Sequence, residues 1–146
     1  MLIGQYTSKL TDKDRLSIPK KFREELGDEL IVAKWYEDGL VLVSKDAWGE
    51  LRSRLTGKPG LIVSPVREID RFILGSAFEI KLDVQGRFVL PESLMNFAGI
   101  KEEVVFVGLG DRVEIWEKQR WDAMEDKAQE KAHKAIEKLA RKEKKP

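Results

Sequence analysis

Two arginines, Arg15 and Arg87, each stand four residues before a proline, Pro19 and Pro91, at the end of a short polar run. A guanidinium offers a planar fork of N–H donors that fits a phosphate, or the O6 and N7 acceptors of guanine in a major groove. The same fork can close on a loop carboxylate, Asp12 or Asp14 in the first case and Asp83 in the second, and merely stiffen a turn. Catalysis has little to work with. The sole histidine, His133, lies among Glu130, Lys131 and Lys134, and cysteine is absent. No HExxH, Gly-x-x-x-x-Gly-Lys or CxxC spacing occurs, and Gly108-Leu109-Gly110 reads as a turn between two strands. The residues therefore imply no catalytic set, metal, organic cofactor or small-molecule substrate.

The arginines recur because the chain is a tandem repeat. At a shift of 72, Tyr6, Lys9, Leu10, Arg15, Leu16, Ile18, Pro19, Phe22 and Gly27 fall on Phe78, Lys81, Leu82, Arg87, Phe88, Leu90, Pro91, Leu94 and Gly99. Beyond the two glycines the shift becomes 73, which sets Asp38 on Asp111, Leu42 on Ile115 and Trp48 on Trp121. One residue has been gained or lost in a turn.

Each copy reads as β-β-α-β-β-α. In the first, Gln5 to Leu10 and Arg15 to Ile18 are extended around the turn-forming run Thr11-Asp12-Lys13-Asp14. Pro19 opens a helix over Lys20 to Leu26, and Gly27 is placed as its left-handed stop. Strands at Leu30 to Ala33 and Leu40 to Val43 follow, then a helix over Asp46 to Leu55 capped by Ser44. The second copy repeats this through Ala77 to Leu82, Arg87 to Leu90, Pro91 to Ala98, Val104 to Val107, Val113 to Trp116 and a helix from about Lys118. Thr56 to Gly60 reads as a linker, and Val66 to Leu74 carries helical spacing. The expected division is a first module over 1–55, a linker with a short helix over 56–74, a second module over 75–121 and a charged helical tail over 122–146. The tail's thin stripe of Trp121, Met124, Ala128, Ala132, Ala135 and Leu139 suits a solvated helix or a face against a neighbouring subunit.

At 146 residues with 42% hydrophobic content, the chain is sized for one folded unit with a real core. Its 27 basic and 26 acidic residues leave a net charge of +1, so any attraction to a polyanion must be local. From Lys9 to Arg23 there are six basic residues, Lys9, Lys13, Arg15, Lys20, Lys21 and Arg23, against Asp12 and Asp14, a surplus of four. The matching window, Lys81 to Met95, balances Lys81 and Arg87 against Asp83 and Glu92. The absence of cysteine, of a leader pattern and of a long apolar run predicts a cytosolic protein with no membrane span.

Two segments carry a family resemblance: Leu10-Thr11-Asp12-Lys13-Asp14-Arg15-Leu16-Ser17-Ile18-Pro19 and Leu82-Asp83-Val84-Gln85-Gly86-Arg87-Phe88-Val89-Leu90-Pro91. With the opening Leu2-Ile3-Gly4-Gln5-Tyr6 and Val113-Glu114-Ile115-Trp116 followed by Trp121, they resemble the MraZ family of bacterial transcriptional regulators. That family is built from two SpoVT/AbrB-type swapped-hairpin modules. Its repeated signature is an aspartate four residues before the arginine, with glycine just ahead of the arginine. Asp83, Gly86 and Arg87 match it; in the first copy Thr11 and Asp14 occupy the aspartate and glycine positions.

The resemblance implies an α+β fold, mainly β with short helices, in which the tandem modules form a pseudo-symmetric, barrel-like core followed by the helical tail. It implies a sequence-specific DNA-binding regulator that recognises short direct repeats in double-stranded DNA upstream of cell-division and cell-wall genes. Such a protein works in the cytoplasm at the nucleoid and assembles into homo-oligomeric rings. Arg15 and Arg87 are the expected base or phosphate readers, with Lys9, Lys13, Lys20, Lys21, Lys81 and Gln85 as flanking DNA contacts. Asp83 and Gly86 are expected to brace the second loop, and Asp12 or Asp14 the first, with Asp14 in a left-handed backbone. The competing reading is an antitoxin-like oligomeric hub that binds protein, with DNA contact secondary. The near-neutral charge favours the hub and the basic window at Lys9 to Arg23 favours DNA.

Overall fold

The computed structural model describes residues 1–56 and 64–144; most of the expected linker, 57–60, lies outside the described residues. In chain order the elements are β1 (Leu2–Lys9), β2 (Arg15–Ser17), α1 (Lys20–Leu26), β3 (Glu29–Lys34), β4 (Leu40–Ser44), α2 (Trp48–Thr56), α3 (Ser64–Ile73), β5 (Phe78–Lys81), β6 (Arg87–Val89), α4 (Glu92–Ala98), β7 (Glu103–Gly110), β8 (Val113–Glu117) and α5 (Lys118–Lys144). The fold is α+β with a long terminal helix; α1 and α4 fall where the prolines and glycines set them, and α5 starts at the expected Lys118. Pro19 and Pro91 occupy the N-cap positions of α1 and α4, where a missing N–H leaves no helical bond unmade.

Strand pairing exchanges the two repeats. Six strands form one antiparallel sheet in the order β1-β7-β8-β4-β3-β5, so the first strand of each copy pairs with the third strand of the other. A separate two-stranded ribbon pairs β2 with β6. At the centre of the sheet β4 meets β8, Leu40 opposite Ile115, Val41 opposite Glu114 and Leu42 opposite Val113. In the ribbon, Leu16 lies opposite Phe88 with Arg15 against Val89 and Ser17 against Arg87. Both ladders map onto themselves when the copies are interchanged, so one pseudo-two-fold axis runs through Val41–Glu114 and Leu16–Phe88.

Alternation of the strands then builds the layers. The inner face of the sheet, with Leu2, Leu30, Val32, Leu40, Leu42, Val104, Phe106, Val113 and Ile115, packs against Leu16 and Phe88 of the ribbon and against Phe22 and Leu94 of α1 and α4. The outer face is covered in two places. Ile31, Ala33, Val41 and Val43 lie under Leu51 of α2 and Ile73 of α3, and Val105, Val107 and Trp116 lie under Trp121 and Met124 of α5. From Glu125 on, the described side chains of α5 are exposed.

Three local expectations need correction. Gly108-Leu109-Gly110 is not a turn: β7 runs through Gly110, and the turn is at Asp111 and Arg112. Gly108 pairs with Gly4, and a Cβ there would stand 2.5 Å from the Ile3 backbone nitrogen, so only glycine lets β1 come this close. Gly27 has positive φ (79°) but an extended ψ (−162°) that carries the chain straight into β3; the left-handed stop is Gly99, at φ 68° and ψ 26°. Helix α2 begins at Trp48 instead of Asp46, because Ser44 turns the chain first, its Oγ accepting the Ala47 N–H at 3.2 Å.

Candidate nucleic-acid interface

The β2–β6 ribbon turns Leu16 and Phe88 inward, which leaves Arg15, Ser17, Arg87 and Val89 on its outer face. Arg15 and Arg87 are therefore diagonal neighbours across two antiparallel strands, with Cα atoms roughly 7–8 Å apart by ladder geometry. The two arginines that sequence spacing sets 72 residues apart come together on one short ribbon. A two-stranded ribbon of this kind is narrow enough to enter a DNA major groove.

Each arginine is the last residue of a tight loop, and the loops are joined to the opposite strands by backbone bonds. Leu90 N donates to Asp14 O at 2.8 Å, and Ile18 N donates to Gly86 O at 3.0 Å. In the second loop Asp83 is the organising residue. Its Oδ1 accepts the backbone N–H of Gln85 and of Arg87, both at 2.9 Å, and its Oδ2 accepts Arg87 Nε at 3.0 Å. These donors, the Arg87 N–H foremost, hold the Asp83 carboxyl below the ordinary carboxylate range. Using Nε for the brace leaves both terminal amino groups of Arg87 without a hydrogen-bond partner among the described residues.

The first loop keeps the backbone and changes the chemistry. Thr11 N donates to Arg15 O at 2.9 Å and Asp14 N to Thr11 O at 3.1 Å, matching Asp83 N to Arg87 O and Gly86 N to Asp83 O, both at 3.0 Å. The bracing side chain here is Thr11, whose hydroxyl donates to Arg15 O at 3.1 Å. The Asp12 and Asp14 carboxylates have no hydrogen-bond partner among the described residues, so the brace expected of them falls to the residue at the aspartate position, reduced to one hydroxyl bond. Arg15 likewise has no ion-pair partner among the described residues. Lys13 and Asp14 are left-handed, with φ of 66° and 58°, a conformation that costs an L-residue about 1–2 kcal/mol and tends to persist where a site requires it.

The remaining candidates spread outward from this centre. Gln85 and the fully exposed Val84 form the tip of the second loop, as Lys13 does of the first. Lys20 and Lys21 are exposed in the first turn of α1. Lys9 and Lys81 end the two edge strands, each opposite a glutamate in its ladder, Glu103 and Glu29, which offsets part of their charge. Sequence spacing alone could not reveal that β2 and β6 pair, since nothing local to either strand names its partner. The Thr11 brace did have a signal in the alignment of Thr11 with Asp83. Among the described residues no cluster of His, Cys, Asp or Glu could hold a metal, and no helix is long and apolar enough to cross a membrane.

A family model described as "MraZ protein, putative antitoxin-like" matches residues 73–142, which takes in most of α5 and so reaches past the motifs. The transcriptional regulator MraZ of Leuconostoc mesenteroides is 39% identical over 123 residues, 84% of this chain and 85% of its own. That of Syntrophomonas wolfei is 38% identical over 129 residues, 88% of this chain and 90% of its own. The Acetivibrio thermocellus protein of the same name is 34% identical over 140 residues, 96% of this chain and 97% of its own. Among solved structures, the solution structure of PHS018 from Pyrococcus horikoshii covers 79% of this chain and 88% of its own at 14% identity, with a TM-score of 0.30. The three bacterial relatives are named as transcriptional regulators. On the strength of these near full-length matches, and of the repeated arginine loops they accompany, the chain belongs to the MraZ family.

Proposed function

We propose that this protein regulates transcription by reading short direct repeats in double-stranded DNA, in promoters of cell-division and cell-wall genes. The observation that carries the reading is the outward ribbon face on which each repeat contributes one arginine with its terminal amino groups unengaged. Inserted in a major groove, Arg15 and Arg87 contact base edges or phosphate, while Lys13 and Gln85 at the loop tips and Lys9, Lys20, Lys21 and Lys81 around them act on the backbone. The protein works in the cytoplasm at the nucleoid. A homo-oligomeric ring sets several such ribbons against spaced repeats, and weak contacts then add through effective concentration.

The test is a salt titration of binding to a duplex with direct repeats and to a scrambled duplex of equal length, for the wild type and the Arg15→Ala, Arg87→Ala double variant. Repeat-specific affinity that disappears in the double variant is the expected result. Equal, weak, salt-erased binding to both duplexes overturns it. The antitoxin-like wording of the family description and the net charge of +1 favour a second reading, an oligomeric hub whose main partner is a protein. Wild-type protein that heparin fails to retain at low salt would support the hub.

A further inference from the structure

We infer that Arg23 of α1 is a DNA-backbone contact, binding a phosphate that lies over the Asp83–Arg87 loop; this rests on the DNA-binding reading above. Arg23 is half-buried, and its Nε is shielded from solvent with no hydrogen-bond partner. No carboxylate among the described residues pairs with it, and Glu25, two residues on, is engaged by the Met1 ammonium. A guanidinium partly removed from water without a counter-charge is a loss to the free protein, and an anion that docks against it recovers that loss.

Its position says where the anion sits. Arg23 belongs to the first repeat, yet it lies against Gly86 of the second, where a Cβ would stand 2.5 Å from Arg23 Cδ. Gly86, at φ 76°, directly precedes Arg87. The missing side chain thus admits a second guanidinium beside the one on the ribbon, and two forks at one loop suit a phosphate with several acceptor oxygens.

The other half of the molecule is built the opposite way. The repeat sets Met95 at the position of Arg23 and Asp14 at that of Gly86. One loop therefore has an added cation and the other an added acid, so the ribbon favours backbone phosphate more at its Gly86 end than at its Asp14 end. A strictly two-fold ribbon would read both directions of a duplex alike. This pairing of differences gives the ribbon a direction, which is what head-to-tail repeats demand of a reader.

Arg23→Met, which borrows the residue of the second repeat, tests the assignment on the intact protein with the direct-repeat duplex as probe. The expected results are affinity lower by about three- to tenfold near physiological salt, and a slope of log affinity against log salt that is shallower by about one for each bound protomer. Preference for repeat over scrambled duplex is kept, melting temperature is unchanged or raised, and Arg23→Lys restores most of the slope. An unchanged slope in Arg23→Met, whether or not the melting temperature falls, assigns Arg23 to packing alone and overturns the inference. Wild-type protein without salt-dependent binding to any duplex removes the DNA reading itself, a different outcome. If Arg23→Met does not fold, Arg23→Gln is read by the same slopes.

Discussion

Leu16 and Phe88 face each other at the midpoint of the β2–β6 ribbon, one from each repeat, and both turn into the core. Whatever keeps this pair packed also keeps Arg15 and Arg87 on one outward face, because a strand that slipped by one residue would turn its arginine inward.

Leu16→Ala is therefore expected to lower unfolding free energy by about 2–5 kcal/mol, the range for emptying a fully buried leucine site. Leu16→Asp, which buries a carboxylate with no partner, is expected to unfold the chain. Denaturant titration followed by tryptophan fluorescence measures both, and a well-folded Leu16→Asp protein would contradict the placement of this residue at 0% exposure.

Arg15 and Lys13 sit two residues apart yet differ in what they can read. Arg15→Ala is expected to cost roughly 1–3 kcal/mol of binding and to relax sequence preference, as loss of a bidentate base contact does. Lys13→Ala is expected to weaken all duplexes alike and to reduce the salt slope. Equal losses with preference intact would place only phosphate at both residues; fluorescence anisotropy on repeat and scrambled duplexes separates the cases.

Asp83 makes the second loop sensitive to acid in a defined direction. Its folded carboxyl sits below its unfolded value of about 3.9, chiefly through the Arg87 N–H. The support it gives the loop is whole above about pH 4 and is lost as pH falls through the lower folded value. In an NMR titration the Arg87 amide should stay constant from about pH 8 to 5 and move only in stronger acid. In Asp83→Asn the movement should vanish, and an Arg87 amide that titrates near neutrality would exclude this brace.

Gly108 offers a test of the exchanged edge strand. With the β1 backbone in the way of any side chain, Gly108→Val is expected to lose stability by about 1–3 kcal/mol, the range for overpacking, with β1 the first segment to lose hydrogen-exchange protection. Uniform loss of protection across all strands would show instead that β1 and the rest of the sheet open together.

The repeat, the order of elements and the arginine loops were legible in the sequence because each is written locally. Pro19 and Pro91 start helices by their own stereochemistry, and the alternation that buries Leu16 also exposes Arg15. Partner choice is not local. That Leu2–Lys9 pairs with Glu103–Gly110, that Gly108 extends a strand instead of making a turn, and that Arg23 needs Gly86 all depend on contacts between repeats. Likewise, Asp12 and Asp14 have the right charge to brace a loop, but the Thr11 hydroxyl is the group within reach of Arg15 O.

The exchange also sets a timetable for synthesis. Leu2 is synthesised 108 residues ahead of its ladder partner, Gly110. At about 5–20 residues per second, β1 waits roughly 5–20 s with one edge unsatisfied and with Ile3 and Tyr6 free to find another strand. In a polysome the nearest equivalent of β7 belongs to the neighbouring nascent chain. A sheet closed by its own first strand is thus exposed to intermolecular trading of that strand at birth, and its yield should depend on how quickly the second repeat emerges.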